Sequence, residues 1–248
     1  MKLSNQTVHY QKDAEHFDYF APRSGADRDA ERRIQDAVIS ALSDVSRQRV
    51  LDLGSGNGWT LGHPRVRASR MLVCVDLGVA NLRTLRRRHP DALLVSADAT
   101  RLPFRPGSFD AVIASEILEH LNDPGSALRA IHGALAPGGR LIASTPFHEN
   151  IRYTLCIHCN QPTPLNAHLH SFDAPELLSL LAEAGFVRPR YFTFLNKVLI
   201  FLRLSLFLRF LPWRFWRLID RLSNFVVMKP QGIVVMGETP SAANDHIT

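Results

Sequence analysis

A chain of 248 residues, 46% hydrophobic and with a formal charge of +6, is long enough for one α/β domain with insertions and too apolar for wholesale disorder. The excess of 29 basic over 23 acidic residues is too modest to indicate a nucleic-acid partner by itself. Three cysteines (Cys74, Cys156, Cys159) exclude a disulfide framework, and the N-terminus lacks the apolar h-region of a secretory signal, so a reducing cytoplasm is expected.

Residues 1–25 are polar with interspersed rings, including Tyr10 and Tyr19, and predict a segment that packs on the domain. Asp27 to Val45 repeats apolar residues at helical spacing. Residues 1–46 therefore read as an N-terminal helical cap, and 47–248 as the main domain. Val50 to Leu53 predict a buried strand that runs into Gly54-Ser-Gly-Asn-Gly58, where glycines allow close approach of a ligand to bare backbone. Trp59 to Ser69 make a poor helix, interrupted by Gly62 and Pro64. A second strand, Met71 to Val75, ends on Asp76, twenty residues beyond Gly56, a distance suited to a carboxylate that meets a ribose hydroxyl. Asn81 to Arg88 read as a helix whose arginines form a wet face.

Ala92 to Ser96 predict the third strand, followed by Asp98-Ala99. Ser108 to Ser115 predict the fourth, after which Glu116 to Leu121 are expected to open a helix. Ser126 to Leu135 form another amphipathic pattern, and Pro137-Gly-Gly turns into a fifth strand, Arg140 to Ser144. Five alternations of strand and helix predict a doubly wound, mostly parallel sheet with its ligand at the carboxyl ends of the strands, where Asp52, Asp76, Asp98 and Ser115 fall.

The segments V-L-D-L-G-S-G-N-G, D-A after the third strand, F-D-A-V followed by L-E-H-L, and L-A-P-G-G-R-L followed by S-T-P occur in this order between Val50 and Gly185. Together they resemble the class I S-adenosylmethionine-dependent methyltransferases of the methyltransferase type 11 kind. The glycine spacing departs from the dinucleotide fingerprint, which disfavours an oxidoreductase. The resemblance implies a Rossmann-like, seven-stranded sheet, with further strands at Arg188 to Phe194 and, antiparallel, Gly232 to Gly237. It implies S-adenosyl-L-methionine as cofactor and residues 1–25 as a lid over it. Asp52 would lie beside the methionine ammonium, and Gly54, Ser55, Gly56 and Gly58 would let the backbone approach. Asp76 with Leu77 would take the ribose, Asp98 and Ala99 the adenine, and Ser115 and Glu116 the floor beneath the methyl group. The activity implied is O- or C-methylation of a small, lipophilic acceptor. Two alternatives stand: metal-assisted methylation of RNA or another macromolecule, and a non-catalytic protein that only binds the cofactor. His168, His170 and His148 are candidates for a base.

Two insertions depart from a minimal domain. In 145–172, Cys156-x2-Cys159 and His168-x-His170 offer four ligands for a zinc knuckle. Glu116, Glu119 and His120 are a competing metal set. Similar E-x-x-E-H segments bind a divalent ion in ubiquinone-pathway O-methyltransferases and in small-RNA terminal 2′-O-methyltransferases, where a later histidine completes the site, a part that His168 or His170 could play here. The bland alternative is a helix start with a structural His120. In 195–230, Leu, Phe and Trp alternate with basic residues as amphipathic helices; the charges and Pro212 exclude a membrane span. Projected as one helix, Arg203, Arg214, Arg217 and Arg221 share a sector. Such a segment suits peripheral contact with an anionic membrane through 195–223, a cap on the site, or a dimer seam. No other basic–aromatic stripe points to nucleic acid.

Overall fold

The computed structural model describes residues 5–157, 160–202 and 204–241. Two helices lead: α1, Gln6–His16, and α2, Gly25–Ala41, the latter capped by the Ser24 hydroxyl accepting from the Asp27 N–H. Strand β1, Arg49–Leu53, follows. The weak helical stretch after it breaks into α3, Trp59–Gly62, and α4, Pro64–Arg67, because Pro64 can only begin a helix. Then come β2 (Met71–Asp76), α5 (Val79–Arg88), β3 (Leu93–Ser96) and β4 (Phe109–Ser115). Helix α6 (Pro124–Ala134) leads into β5 (Leu135–Pro146). The Cys/His insertion forms a small hairpin of β6 (Tyr153–Leu155) and β7 (Pro162–Pro164). Helix α7 (Ala174–Glu183), β8 (Val187–Asn196), three helices α8 (Lys197–Phe201), α9 (Leu204–Leu208) and α10 (Trp213–Val226), and β9 (Pro230–Glu238) complete the chain.

Seven strands form one sheet in the order β3-β2-β1-β4-β5-β9-β8, parallel except for β9, which pairs antiparallel with both β5 and β8. The expected doubly wound α/β architecture is therefore present, with the antiparallel strand where it was predicted. The inner strands are buried on both faces and so read as nearly continuous apolar runs. Leu51 and Leu53 join Val112 and Ala114 against Leu128 and Ile131 of α6 and Leu177 of α7. Val50, Ile113 and Val234 point the other way, against Ala37 and Val38 of α2 and Trp216 of α10. The strand order reverses direction between β1 and β4, which opens a crevice at their carboxyl ends.

Two local expectations are corrected. Glu116 to Leu121 do not start an α-helix. Glu116 lies at φ +52° and only Leu118–His120 form a single 3₁₀ turn, so Glu116, Glu119 and His120 are not stacked on one helix face. The C-terminal insertion is three helices and not one, so its arginines do not share a sector: Arg217 turns inward to Asp220, while Arg214 and Arg221 are exposed, and Arg203 lies outside the described residues.

Asn196, fully buried where β8 meets α8, ties this insertion to the sheet. Its carboxamide donates to Asn224 Oδ1 and to the Val227 carbonyl, both at 2.8 Å, and accepts the Val198 N–H at 2.8 Å. Asn196→Ala strands those buried groups and is expected to cost about 1–3 kcal/mol, read as a lower urea midpoint at unchanged slope; an unchanged midpoint would refute this linchpin role.

Candidate functional site

The crevice is walled by four loops and roofed by α1. From the sheet come Gly54 and Gly56, then Asp76 and Leu77, then Asp98 and Ala99, then Glu116, Ile117 and His120. From the roof come Gln6, Tyr10 and Asp13. Helix α1 is held there by specific bonds: Tyr10 Oη donates to the His120 carbonyl at 3.1 Å, Gln11 Nε2 to the Leu77 carbonyl at 2.7 Å, and the Asn122 N–H to Gln6 Oε1 at 3.2 Å. Tyr19, which also lines the crevice, donates to Asp13.

The Asp76 carboxylate accepts from the Gly56 N–H at 2.8 Å and the Gly78 N–H at 2.7 Å. Burial nevertheless pushes its pKa up, since those bonds offset only part of the lost hydration. Gly54 needs its bare backbone: it sits at φ +73°, and a Cβ would lie 2.6 Å from Ile117 Cδ1. Asp98 commits one oxygen, Oδ1, to the Thr100 N–H and hydroxyl, both at 2.8 Å. Glu116 accepts from the Ser144 hydroxyl at 2.8 Å, and Ser144 meets the Ser115 hydroxyl at 3.0 Å. Burial holds the Glu116 pKa up at about 7.

Four sequence assignments are revised in position. Asp52 does not reach the crevice. The two-residue alternation of β1 turns it to the face beneath α3, where it is fully buried and accepts the Thr60 hydroxyl at 2.5 Å. Gly58 caps α3 against Leu85. Ser55 and Ser115 line a neighbouring recess instead, shared with Tyr19, Arg23, Glu31 and Ile34, into which Gly54, Gly56 and Glu116 also open.

The histidines are likewise rearranged. Neither His168 nor His170 lines the crevice, and His148 is exposed. His170 Nε2 lies 2.8 Å from the Leu121 carbonyl, and its ring stacks on Phe172. His168 Nδ1 lies 2.5 Å from Glu149 Oε2, and its ring meets the His120 ring edge-on with centroids 4.7 Å apart. Among the described residues one group offers three metal-ligand atoms: Glu119, His120 and His168, all within 4.8 Å of one another. Cys156 and His170 are not in it, and Cys159 lies outside the described residues, so the predicted four-ligand knuckle is not assembled here. Glu119 Oε2 accepts the Thr145 hydroxyl at 3.0 Å, whereas the buried Glu119 Oε1 and His120 Nδ1 have no hydrogen-bond partner. Orphaned buried polar atoms are rare and demand an explanation. Burial pushes the Glu119 pKa well up and the His120 pKa down to about 4, so both tend to neutrality.

Sequence reasoning missed Gln6, Asp13, Thr60 and Glu149; nothing in the local pattern around them marks a site. The fold is that of the class I methyltransferases. Residues 51–143 match the family described as "Methyltransferase domain". A demethylmenaquinone methyltransferase of Renibacterium salmoninarum is 36% identical over 137 residues, 53% of this chain and 57% of that protein. A ubiquinone biosynthesis O-methyltransferase of Xanthomonas euvesicatoria is 34% identical over 158 residues, 59% of this chain and 66% of that one. The chain thus spans less than two thirds of these curated relatives. The S-adenosylmethionine-dependent methyltransferase structure from Mesorhizobium loti superposes with a TM-score of 0.62 at 20% identity, covering 83% of this chain and 97% of that one. Residues 51–143 thus match a methyltransferase-domain family, and the fold is that of the class I S-adenosylmethionine-dependent methyltransferases.

Burial sets a pH dependence that checks the Asp52 geometry. Its carboxyl is raised to about 7, from 3.8, chiefly by desolvation. Between those values the unfolded chain releases a proton that the folded chain keeps, so this group lowers stability as pH rises through that window and adds no slope above it. Asp52→Asn removes the titration. The stability of the variant relative to the natural chain should rise from pH 4 to pH 7 and then level in urea titrations; a pH-independent difference would refute the buried assignment.

Proposed function

We propose that the chain transfers a methyl group from S-adenosyl-L-methionine to a hydroxyl oxygen of a small, lipophilic, quinone-like acceptor, with a divalent cation held by Glu119, His120 and His168. The observation that carries this reading is that His120 belongs both to the crevice wall and to the ligand trio, so a bound cation would border the space where an acceptor meets the cofactor. The names of the two quinone-pathway relatives support the acceptor class.

The residues present fit a cation. A buried carboxylate oxygen, Glu119 Oε1, lacks a hydrogen-bond partner and lies 4.0 Å from His120 Nε2. The ring of His168 is oriented by Glu149, the carboxylate–histidine arrangement that commonly backs a metal ligand. Two imidazoles and one carboxylate suit zinc or manganese. When bound, the cation would polarise the acceptor hydroxyl and ease loss of its proton. When bound, the cofactor supplies a methyl carbon open to in-line attack, with the carbon–sulfur electron pair leaving on sulfur.

The chain itself positions and encloses. Asp76 holds the ribose hydroxyls, and Asp98 and Ala99 border the adenine. Gly54 and Gly56 present bare backbone, and Ser115 and Glu116 floor the recess beneath the methyl group. Helix α1 excludes water from above. His120 is neutral at pH 7, because burial disfavours its charged form, and so is free to act as a ligand. The same reading has residues 195–223 meet the membrane surface in which such an acceptor resides.

Asp76→Ala is expected to weaken S-adenosylmethionine binding about ten- to a hundredfold by calorimetry, the loss of hydrogen bonds to a charged group; unchanged affinity overturns the cofactor pose. Treatment with EDTA should abolish methyl transfer to a dihydroxylated benzoquinol, with recovery on adding magnesium, manganese or zinc. Glu119→Gln should reproduce the loss without altering cofactor affinity. Full activity in EDTA removes the cation from the reading.

A further inference from the structure

Helix α10 is folded with its polar side in. The face it turns to the sheet carries Trp213, Trp216, Arg217, Asp220 and Asn224. Asp220, fully buried, accepts the Asn196 N–H and an Arg217 Nη1 proton, each at 2.8 Å. The Trp216 ring lies under the buried Arg33 guanidinium of α2 at 4.8 Å. The face turned outward carries Phe215, Leu218, Leu222 and Phe225, spaced three or four residues apart and each more than half exposed, Phe225 by 90%. Phe201, Phe207, Phe210 and Met228, all at least 77% exposed, belong to the same insertion. A helix that ends at the protein's own surface does the reverse, so this apolar surface is made for contact.

Charge selects the partner. Seven basic residues from Lys197 to Lys229 stand against one acid, Asp220, which leaves +6. That is the whole formal charge of the chain: of its 29 basic and 23 acidic residues, the remaining 22 of each sign cancel. Asp220 is consumed internally by Arg217, while Lys197, Arg209, Arg214, Arg221 and Lys229 are exposed. A second copy docked on this face would set like charge against like charge, and a nucleic acid would leave the phenylalanines wet. We propose that the outward face of residues 197–229 docks in the headgroup plane of an anionic lipid bilayer, with the aromatic and leucine side chains in the acyl boundary and the basic side chains on the phosphates.

The docked helix is coupled to the crevice. Helix α2 receives α10 through Arg33, which also donates to the Leu208 and Leu211 carbonyls at 2.9 and 3.2 Å. The adjoining side of α2 brings Ala30, Glu31 and Ile34 to the recess beside Glu116. Docking would therefore bring the recess close to the bilayer surface, a route for the acceptor that rests on the lipophilic-acceptor reading; the docking surface itself does not.

The test is sedimentation of the full chain with vesicles of equal parts phosphatidylglycerol and phosphatidylcholine, against phosphatidylcholine alone, at low salt. The chain should bind the anionic vesicles only. Leu222→Ser with Phe225→Ser should lower the partition coefficient at least about tenfold. Arg214→Gln with Arg221→Gln should weaken binding and its salt dependence. Both variants should keep their calorimetric affinity for S-adenosylmethionine, which shows that they are folded. Failure of the natural chain to bind anionic vesicles overturns the proposal. So does vesicle binding undiminished in folded variants, or a dimer in solution that Leu222→Ser with Phe225→Ser dissociates. Vesicle binding without methyl transfer to the quinol upholds the docking surface and refutes the acceptor reading. Methyl transfer without vesicle binding does the opposite.

Discussion

The carboxylate of Asp76, pinned between two backbone N–H groups, is the constraint on which the crevice depends. One donor, Gly56, belongs to the loop after β1, and the other, Gly78, to the loop after β2. A single side chain thus fixes two loops, reinforcing the bonds from the Gly54 and Ser55 N–H groups to the Val75 carbonyl and the parallel strand pairing below them. The bonds reach one side of each oxygen, and a carboxylate oxygen accepts through two lone pairs, so capacity remains for hydroxyl donors in the crevice. Helix α1 completes the enclosure through Gln11, which bonds the same second loop at Leu77 and accepts from the Val79 N–H at 3.2 Å.

A second property follows from crowding strands of one polarity into one crevice. Near the carboxyl ends of β1, β2 and β4, Asp52 and Glu119 are buried and Asp76 and Glu116 half-buried, and desolvation raises each of their pKa values. Among the described residues no Lys or Arg pairs with any of them. A buried carboxylate without a countercharge is costly, and evolution usually removes it or neutralises it. Asp76 and Glu116 line the crevice and Glu119 adjoins its wall residue His120, so this region favours positive charge, because a cation would favour their ionised forms. The proposed ligands match that preference: a sulfonium, an ammonium and a divalent metal are all cations.

The sheet, its order and the positions of Asp76 and Asp98 were legible because they rest on short-range signals. Apolar runs end in a turn, and an acid at that end must lie at the strand's carboxyl edge. Asp52 misled for a reason of parity. One residue earlier or later in β1 it would have faced α6, and the hydrogen-bonding partner that keeps it buried, Thr60, gives no sign in sequence. The segment Glu116 to His120 has helical spacing, but the chain turns through a left-handed residue to leave β4, and spacing then loses its meaning. The metal trio joins the adjacent Glu119 and His120 to the distant His168, whose ring Glu149 orients. Which later histidine closes on the pair is decided by the tertiary fold.

The C-terminal insertion shows the same limit more sharply. Periodicity establishes that α10 has two faces; it does not say which one is inside. Burying Phe215, Leu218, Leu222 and Phe225 would gain apolar contact but would expose Asp220 and Asn224, and Asn196 below them would lose its partners. The lone acid of the segment decides the orientation. Its carboxylate closes the Asn196 network and neutralises Arg217, so the polar side is satisfied internally and the apolar side is left for a neighbour. Arg33 then ties that arrangement to α2 with hydrogen bonds to carbonyls at the end of α9 and a cation–π contact to Trp216. The helix that borders the recess and the helix that offers an apolar surface are thus one mechanical unit, joined by a buried guanidinium whose pKa burial lowers.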